Sequence, residues 1–195
     1  GEPVERASEP RDVAFPSGAA MAIRADLFEE LGRFNDRFFI YHEDVELGWR
    51  AHMRGLRVLM NPKADVYHDY EFVRNPRKLY LLERNRLVFV VSSFSLRMLA
   101  LLAPLLIVTE LGMLALALRE GWAKDKLAGW AWCVRNARWL ARHRRETQRL
   151  RRVPDRELAS FMTPVLAPQM MPLPRIAAAA NPVMAAYWKL VRRLL

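Results

Sequence analysis

Cysteine is nearly missing from this chain. One residue in 195, Cys133, carries a thiol. No intrachain disulfide framework and no cysteine metal cluster can form, and a reducing compartment is permitted. Acidic residues are also short, with 21 Asp and Glu against 31 Lys and Arg, a formal net charge of +10. The opening GEPVERASEP has no initiator Met and reads as tag residue, processing or the trimmed start of a fragment. The first fifteen residues are polar and proline-punctuated, so no signal peptide is expected there. No internal repeat stands out. A zinc-protease motif is absent too: HEDVE at 42–46 is not HExxH, and His42, His52 and His68 lack a local zinc-ligand spacing.

Apolar sequence, in contrast, is plentiful at 52%. Strong basicity joined to an apolar middle suits a protein held at an anionic membrane face. Nucleic acid is the rival account of the charge, and the tryptophans and apolar run fit lipid better. Three textures follow one another: residues 1–86 look like folded, water-soluble protein, 87–118 are almost continuously apolar, and 119–195 are basic, first Trp-rich and then proline-punctuated.

In the first region AAMAIR (19–24), RVLM (57–60) and ADVYH (64–68) read as short strands. Asp26 with Glu29 reads as a capping box for a short helix ending at Gly32. Glu43 to Arg54 reads as a second helix ended by Gly55, and KLYLLERNRLVFVV as a third. Mixed short strands and helices imply an α/β layer with too few strands for a whole sheet. The 21 residues 98–118 are long enough to cross a bilayer. Arg84, Arg86 and Arg97 precede that run, and Arg119, Lys124, Lys126 and Arg135 follow it, so the positive-inside rule gives no orientation. A single crossing, a re-entrant or monotopic hairpin broken near Pro104, and a buried helix pair of a soluble protein remain open. Trp122, Trp130, Trp132 and Trp139 among arginines read as an interfacial helix, or as a basic helix covering another protein surface. AAYWKLVRRLL at the end has a similar interfacial pattern, and the proline-spaced stretch before it has little long regular structure.

The chemistry-bearing stretch is FFIYHEDVELGWRAHMRG, residues 38–55. Glu43 and Asp44 fall at a helix start, where free N–H groups stabilise negative charge. Helix capping and general-base work both fit that spacing. Asp44, Gly48 and Ala51 or His52 lie near one helix face, and Gly48 leaves room there for a ligand.

The run from FPSGAAMAIR through LFEELGRFNDRFF, the Glu43-Asp44 pair, Gly55, Pro62 and His68 resembles the C-terminal half of family 2 glycosyltransferases, in the rhamnosyltransferase-like subgroup. NPRKLYLLERNRL followed by an apolar helix is similar to the membrane-attached members. The resemblance implies the C-terminal part of a GT-A, Rossmann-like mixed-sheet domain over 1–86, followed by membrane-associated helices. It implies inverting sugar transfer from a nucleotide-diphosphate sugar, such as dTDP-rhamnose, to a lipid-linked or cell-envelope glycan acceptor. Asp44 takes the role of the acceptor-activating base, and Glu43 that of orienting the acceptor or Asp44. Ser17, Gly18, Ala19 and Arg50 fall to donor or acceptor binding, and His68 to a Mg2+ or Mn2+ ion. A location at the bacterial inner membrane, facing the cytoplasm, follows, without a nucleic-acid partner. The family's upstream half, with its Asp-x-Asp metal motif, has no counterpart in the sequence, so an upstream catalytic half in the same or another chain is expected. Arg33 stands where the family has a glycine, and no QxxRW follows, which argues against a processive synthase. The alternative is a non-catalytic membrane-anchored scaffold or split-enzyme subunit.

Overall fold

A computed structural model describes residues 8–68, 75–165 and 180–195. Helices dominate. The elements are β1 (Arg11–Asp12), α1 (Ala25–Glu30), α2 (Glu43–Met53), β2 (Leu59–Met60), α3 (Lys78–Ser93), α4 (Leu96–Glu120), α5 (Ala123–Arg135), α6 (Ala137–Arg149), α7 (Asp155–Leu158) and α8 (Asn181–Leu194). A short 3-10 turn, Ala159–Phe161, follows α7.

The expected mixed sheet is reduced to one antiparallel pair, β1 with β2, in which Arg11 faces Met60 and Asp12 faces Leu59. Residues 21–24 and 64–68 form no ladder. An extended segment becomes a strand only when a neighbour takes its N–H and C=O groups, and no such neighbour stands beside either segment among the described residues. The capping box at α1 is corrected as well. Arg24, not Asp26, is the N-cap, without a side-chain cap bond. Asp26 instead accepts from the Arg24 guanidinium at 3.0 Å. The glycine stops hold: Gly32 (φ 86°) and Gly55 (φ 78°) take the left-handed conformation just past α1 and α2.

The apolar run divides elsewhere than expected. Pro104 sits inside a continuous α4, and the break falls at Phe94-Ser95. Ser95 caps α4, its hydroxyl accepting from the Met98 N–H at 2.9 Å. The last carbonyls of α3 are taken by cationic and amide side chains arriving from α6 and just beyond it. Gln148 donates to Ser92 O at 2.8 Å, Arg144 to Phe94 O at 2.7 Å and Arg151 to Ser93 O at 3.0 Å. Positive charge at a helix C-terminus is favourable as well as hydrogen-bonding.

One core joins Trp49 and Met53 of α2 to Met98 and Leu102 of α4, with Leu158 and Trp188 closing it. A second holds Phe38, Val88 and Leu140, with Trp132 and Trp139 packed against it. The tryptophans expected at a lipid interface are thus turned partly inward. Trp139 stacks on His143 with ring centroids 5.1 Å apart, and the Trp130 indole N–H donates to Glu110 at 2.9 Å. The terminal helix also packs inward, through Trp188 and Val191. Residues 166–179 of the proline-spaced stretch lie outside the described residues.

Candidate active site

The loop leading into α2 is held in an unfavourable backbone shape. Phe39 (φ 64°), Tyr41 (φ 69°) and His42 (φ 67°) are all left-handed without being glycine. Each such residue costs on the order of 1–3 kcal/mol and persists only where its surroundings over-determine it. Here the surroundings come from α3. The Asn85 amide donates to the carbonyls of Phe38 at 3.0 Å, Ile40 at 2.9 Å and Tyr41 at 2.7 Å. The Arg84 guanidinium donates to Arg37 O at 2.7 Å and Phe38 O at 3.0 Å. The Phe38 ring, 1% exposed, anchors the loop from within.

This loop delivers Glu43 and Asp44 as the first residues of α2. Asp44 Oδ2 accepts the Gly18 N–H at 2.8 Å, and its Oδ1 accepts the Val45 N–H at 2.8 Å. The Asp44 carboxylate is therefore fixed in direction by two backbone donors, and the residue is only half-buried. Glu43 differs. Burial raises its carboxyl above the usual range, its own backbone N–H offsets part of that, and the Asp44 charge adds to the rise. Its Oε2 is buried without a hydrogen-bond partner. His42 is pushed down to about 4, first by burial and then by the Arg86 charge, against the opposing acids Asp44 and Glu83. It is neutral at neutral pH.

Residues 13–18 run antiparallel along the Asp44 face of α2. Val13 O is 2.9 Å from His52 Nε2, Phe15-Pro16 lies over Gly48, and Gly18 meets Asp44. A Cβ at Gly48 would stand 2.7 Å from Pro16 Cδ and 3.0 Å from Phe15 Cα. The open face expected beside Gly48 is consequently filled by the chain itself. The small residue admits backbone, and that crossing brings the Ser17-Gly18-Ala19 turn to the acidic helix start.

Arg50 is placed differently from its expected substrate role. It is 4% exposed. Its guanidinium bonds to Glu46 at 2.6 Å, to Arg33 O at 2.6 Å and to Leu31 O, bracing the turn after α1. The WRAH spelling does not reveal that burial and bracing. Arg50 borders a cleft of about 250 Å³ with Asn35, His143 and Thr147, on a different face of α2 from Asp44. Burial raises the Glu46 carboxyl and lowers His143 to about 4, with the Arg50 charge adding to the latter.

His68 is exposed at the edge of the described residues. No group of three or more His, Cys, Asp or Glu is gathered for a metal among the described residues. The described residues do not make a metal site by themselves.

A second polar cluster was not anticipated as a unit. Glu83 and Arg86 of α3, Glu110 of α4 and Lys126 of α5 converge behind the apolar helix. Lys126 Nζ lies 2.6 Å from Glu83 and 3.0 Å from Glu110, and Arg86 pairs with both acids. The available signal was the polar triplet Arg84-Asn85-Arg86 inside an apolar helical stretch, together with a lone acid in α4.

Residues 3–88 match the model described as glycosyltransferase like family 2. This part of the chain is similar to family 2 glycosyltransferases. A stretch of 58 residues is 38% identical to the N-acetylglucosaminyl-diphospho-decaprenol L-rhamnosyltransferase of Mycobacterium tuberculosis H37Rv, covering 30% of this chain and 19% of that protein. Over 82 residues the chain is 30% identical to the low-salt glycan biosynthesis hexosyltransferase Agl10 of Haloferax volcanii, covering 40% of this chain and 27% of that one. Over 52 residues it is 38% identical to the O-antigen biosynthesis protein RfbC of Myxococcus xanthus, 27% of this chain and 4% of that protein. The chain thus spans about a fifth to a quarter of the length of the first two relatives. No solved structure matches it.

Proposed function

We propose that this chain carries the acceptor-side part of an inverting glycosyltransferase, which moves a sugar from a nucleotide-diphosphate donor to a lipid-linked or cell-envelope glycan. The observation that supports it best is the fixed Asp44 carboxylate at the start of α2, beside the Ser17-Gly18-Ala19 turn. The family 2 match over residues 3–88 favours a GT-A setting for these elements.

In this reading Asp44 accepts the proton of the acceptor hydroxyl while that oxygen attacks the anomeric carbon and the nucleoside diphosphate leaves. General-base catalysis needs a carboxylate within hydrogen-bond reach of the hydroxyl. Two backbone N–H bonds hold the group in one direction, which limits the reorganisation required at reaction. Glu43, raised by burial and by Asp44, shapes the field around that base. Ser17, Gly18 and Ala19 line the approach of acceptor or donor sugar. The donor's diphosphate and its Mg2+ or Mn2+ are assigned to an upstream part of the fold, with His68 as the contribution from this segment. A rhamnosyl or other hexosyl donor fits the names of the relatives. Attachment at the cytoplasmic face of a bacterial inner membrane fits a lipid-linked acceptor and the one long apolar helix.

The test is transfer by the full-length enzyme from a panel of nucleotide-diphosphate sugars to a polyprenyl-diphosphate-linked acceptor. Asp44→Asn is expected to lower turnover by about 10²- to 10⁴-fold while leaving donor affinity within about twofold. Turnover close to wild type would remove Asp44 from the base role. Absence of transfer with every donor, by a folded full-length protein, would favour the scaffold alternative.

A further inference from the structure

We propose that α4 is an in-plane anchor: it lies along an anionic lipid surface with one face in the acyl boundary and does not cross the bilayer. This goes beyond sugar transfer and stands independently of it.

α4 has an 18-residue stretch of mean hydropathy 2.2, of which only 6% is buried in the protein. It is not the enclosed core helix of a soluble domain. Its two sides differ. At about 3.6 residues per turn, Pro104, Ile107, Val108, Leu111, Ala115 and Leu118 share one side, and all are exposed. Arg97 and Arg119, also exposed, stand on that same side at its two ends. The opposite side carries Met98, Leu102 and Ala117, all buried, together with Glu110.

The protein packed behind α4 decides between crossing and lying flat. Met98 and Leu102 are locked into the core of Trp49 and Met53. Glu110, fourteen residues beyond Leu96, is held by Arg86, Lys126 and Trp130. In a perpendicular crossing that cluster would sit roughly 21 Å along the helix, near the hydrocarbon centre. Ionised groups there are expensive, on the order of 3 kcal/mol each even on the most lenient scale. Lying flat removes the conflict. The charged network stays on the protein side, and the apolar stretch between the two end arginines enters lipid, to a depth of about 5–10 Å. The end arginines can then extend along the surface to anionic phosphates. Like charge at both ends of one apolar face is the pattern of a helix whose ends meet the same interface. The neighbouring α5 continues it, with Leu127 and Val134 exposed beside Lys124 and Arg135.

The experiment uses the full-length protein in native membranes and in vesicles. In a Cys133→Ser background, Arg97→Cys and Arg119→Cys are labelled one at a time with a membrane-impermeant maleimide. Right-side-out and inverted vesicles are compared. Both ends should label from the same side, and labelling from opposite sides would establish a crossing and overturn the proposal. Purified protein should float with phosphatidylglycerol vesicles and weakly with phosphatidylcholine vesicles. Val108→Asp with Leu111→Asp, both on the exposed face, should reduce that binding by at least about tenfold without lowering the unfolding temperature. Equal flotation on both lipids, or binding indifferent to the double substitution, would refute the docking face. A lipid-free dimer that protects position 111 and does not bind vesicles would assign the face to a second copy instead.

Discussion

Two acidic clusters in this protein are built in opposite ways. At the start of α2, backbone N–H groups hold Asp44, and one Glu43 oxygen is buried without a hydrogen-bond partner. Behind α4, Glu83 and Glu110 are matched by Arg86 and Lys126. Acids that serve packing are neutralised, because an unpaired buried charge is costly. Acids poised for proton transfer must stay uncompensated and reachable. The contrast extends to the backbone. Left-handed residues gather before α2, whereas α3, α4 and α5 are regular helices.

The sharpest way to break the comparison is to exchange the consequences of substitution. Lys126→Met leaves Glu83 and Glu110 sharing one arginine at a fully buried position. It should destabilise the fold by about 3–5 kcal/mol, read in denaturant titration, with the kcat of the remaining folded enzyme nearly unchanged. Asp44→Asn should do the reverse, with large loss of turnover and little change in unfolding midpoint. If both variants behaved alike, the division between paired and poised acids would fail.

Asn85→Ala tests whether the strained loop is held from α3. Three carbonyls lose one donor, so a loss of about 1–3 kcal/mol is expected, with turnover falling more than donor affinity as Asp44 loses its placement. Unchanged turnover would separate the loop from the site. Gly48→Ala perturbs the same geometry from the other side. Its Cβ would press on Pro16 and Phe15, for a cost of about 1–3 kcal/mol and a shifted Gly18–Asp44 contact, visible as a changed Gly18 amide resonance.

A separate expected effect is on acid stability. His42 and His143 are each lowered to about 4 in the fold from an ordinary value of 6.5. Below 6.5 the unfolded chain takes up protons that the folded chain refuses, so stability falls as pH drops from about 6.5 to about 4 and then levels. The raised carboxyls of Glu43 and Glu46 act in the opposite direction. The difference between wild type and His42→Gln isolates the histidine: it should narrow the pH dependence across that window, and parallel curves would discount it.

Some of this was legible because it is local. Helix starts and stops follow from glycine, apolar spacing and charge within a few residues, so the bounds of α2 and α3 and the position of Asp44 at a helix start could be read directly. The strands could not, since 19–24 and 64–68 have strand-like spelling but no described partner to complete a ladder. The burial of Arg50 could not be read either, because a buried bracing arginine and a substrate-binding one are spelled alike. Tryptophan orientation was hidden for a similar reason, since an amphipathic ring fits lipid or protein equally well.

The sequence alone determined the acidic helix start, the apolar helix and the likeness to family 2 transferases, each carried by residues close along the chain. Only the tertiary structure decided that Gly18 meets Asp44 across 26 positions and that Lys126 meets Glu83 across 43. It also decided that the Gly48 face is covered by residues 13–18 and that one side of α4 is left outward. Pairing, burial and exposure depend on which distant segments fold together, and that information is not contained in local spacing.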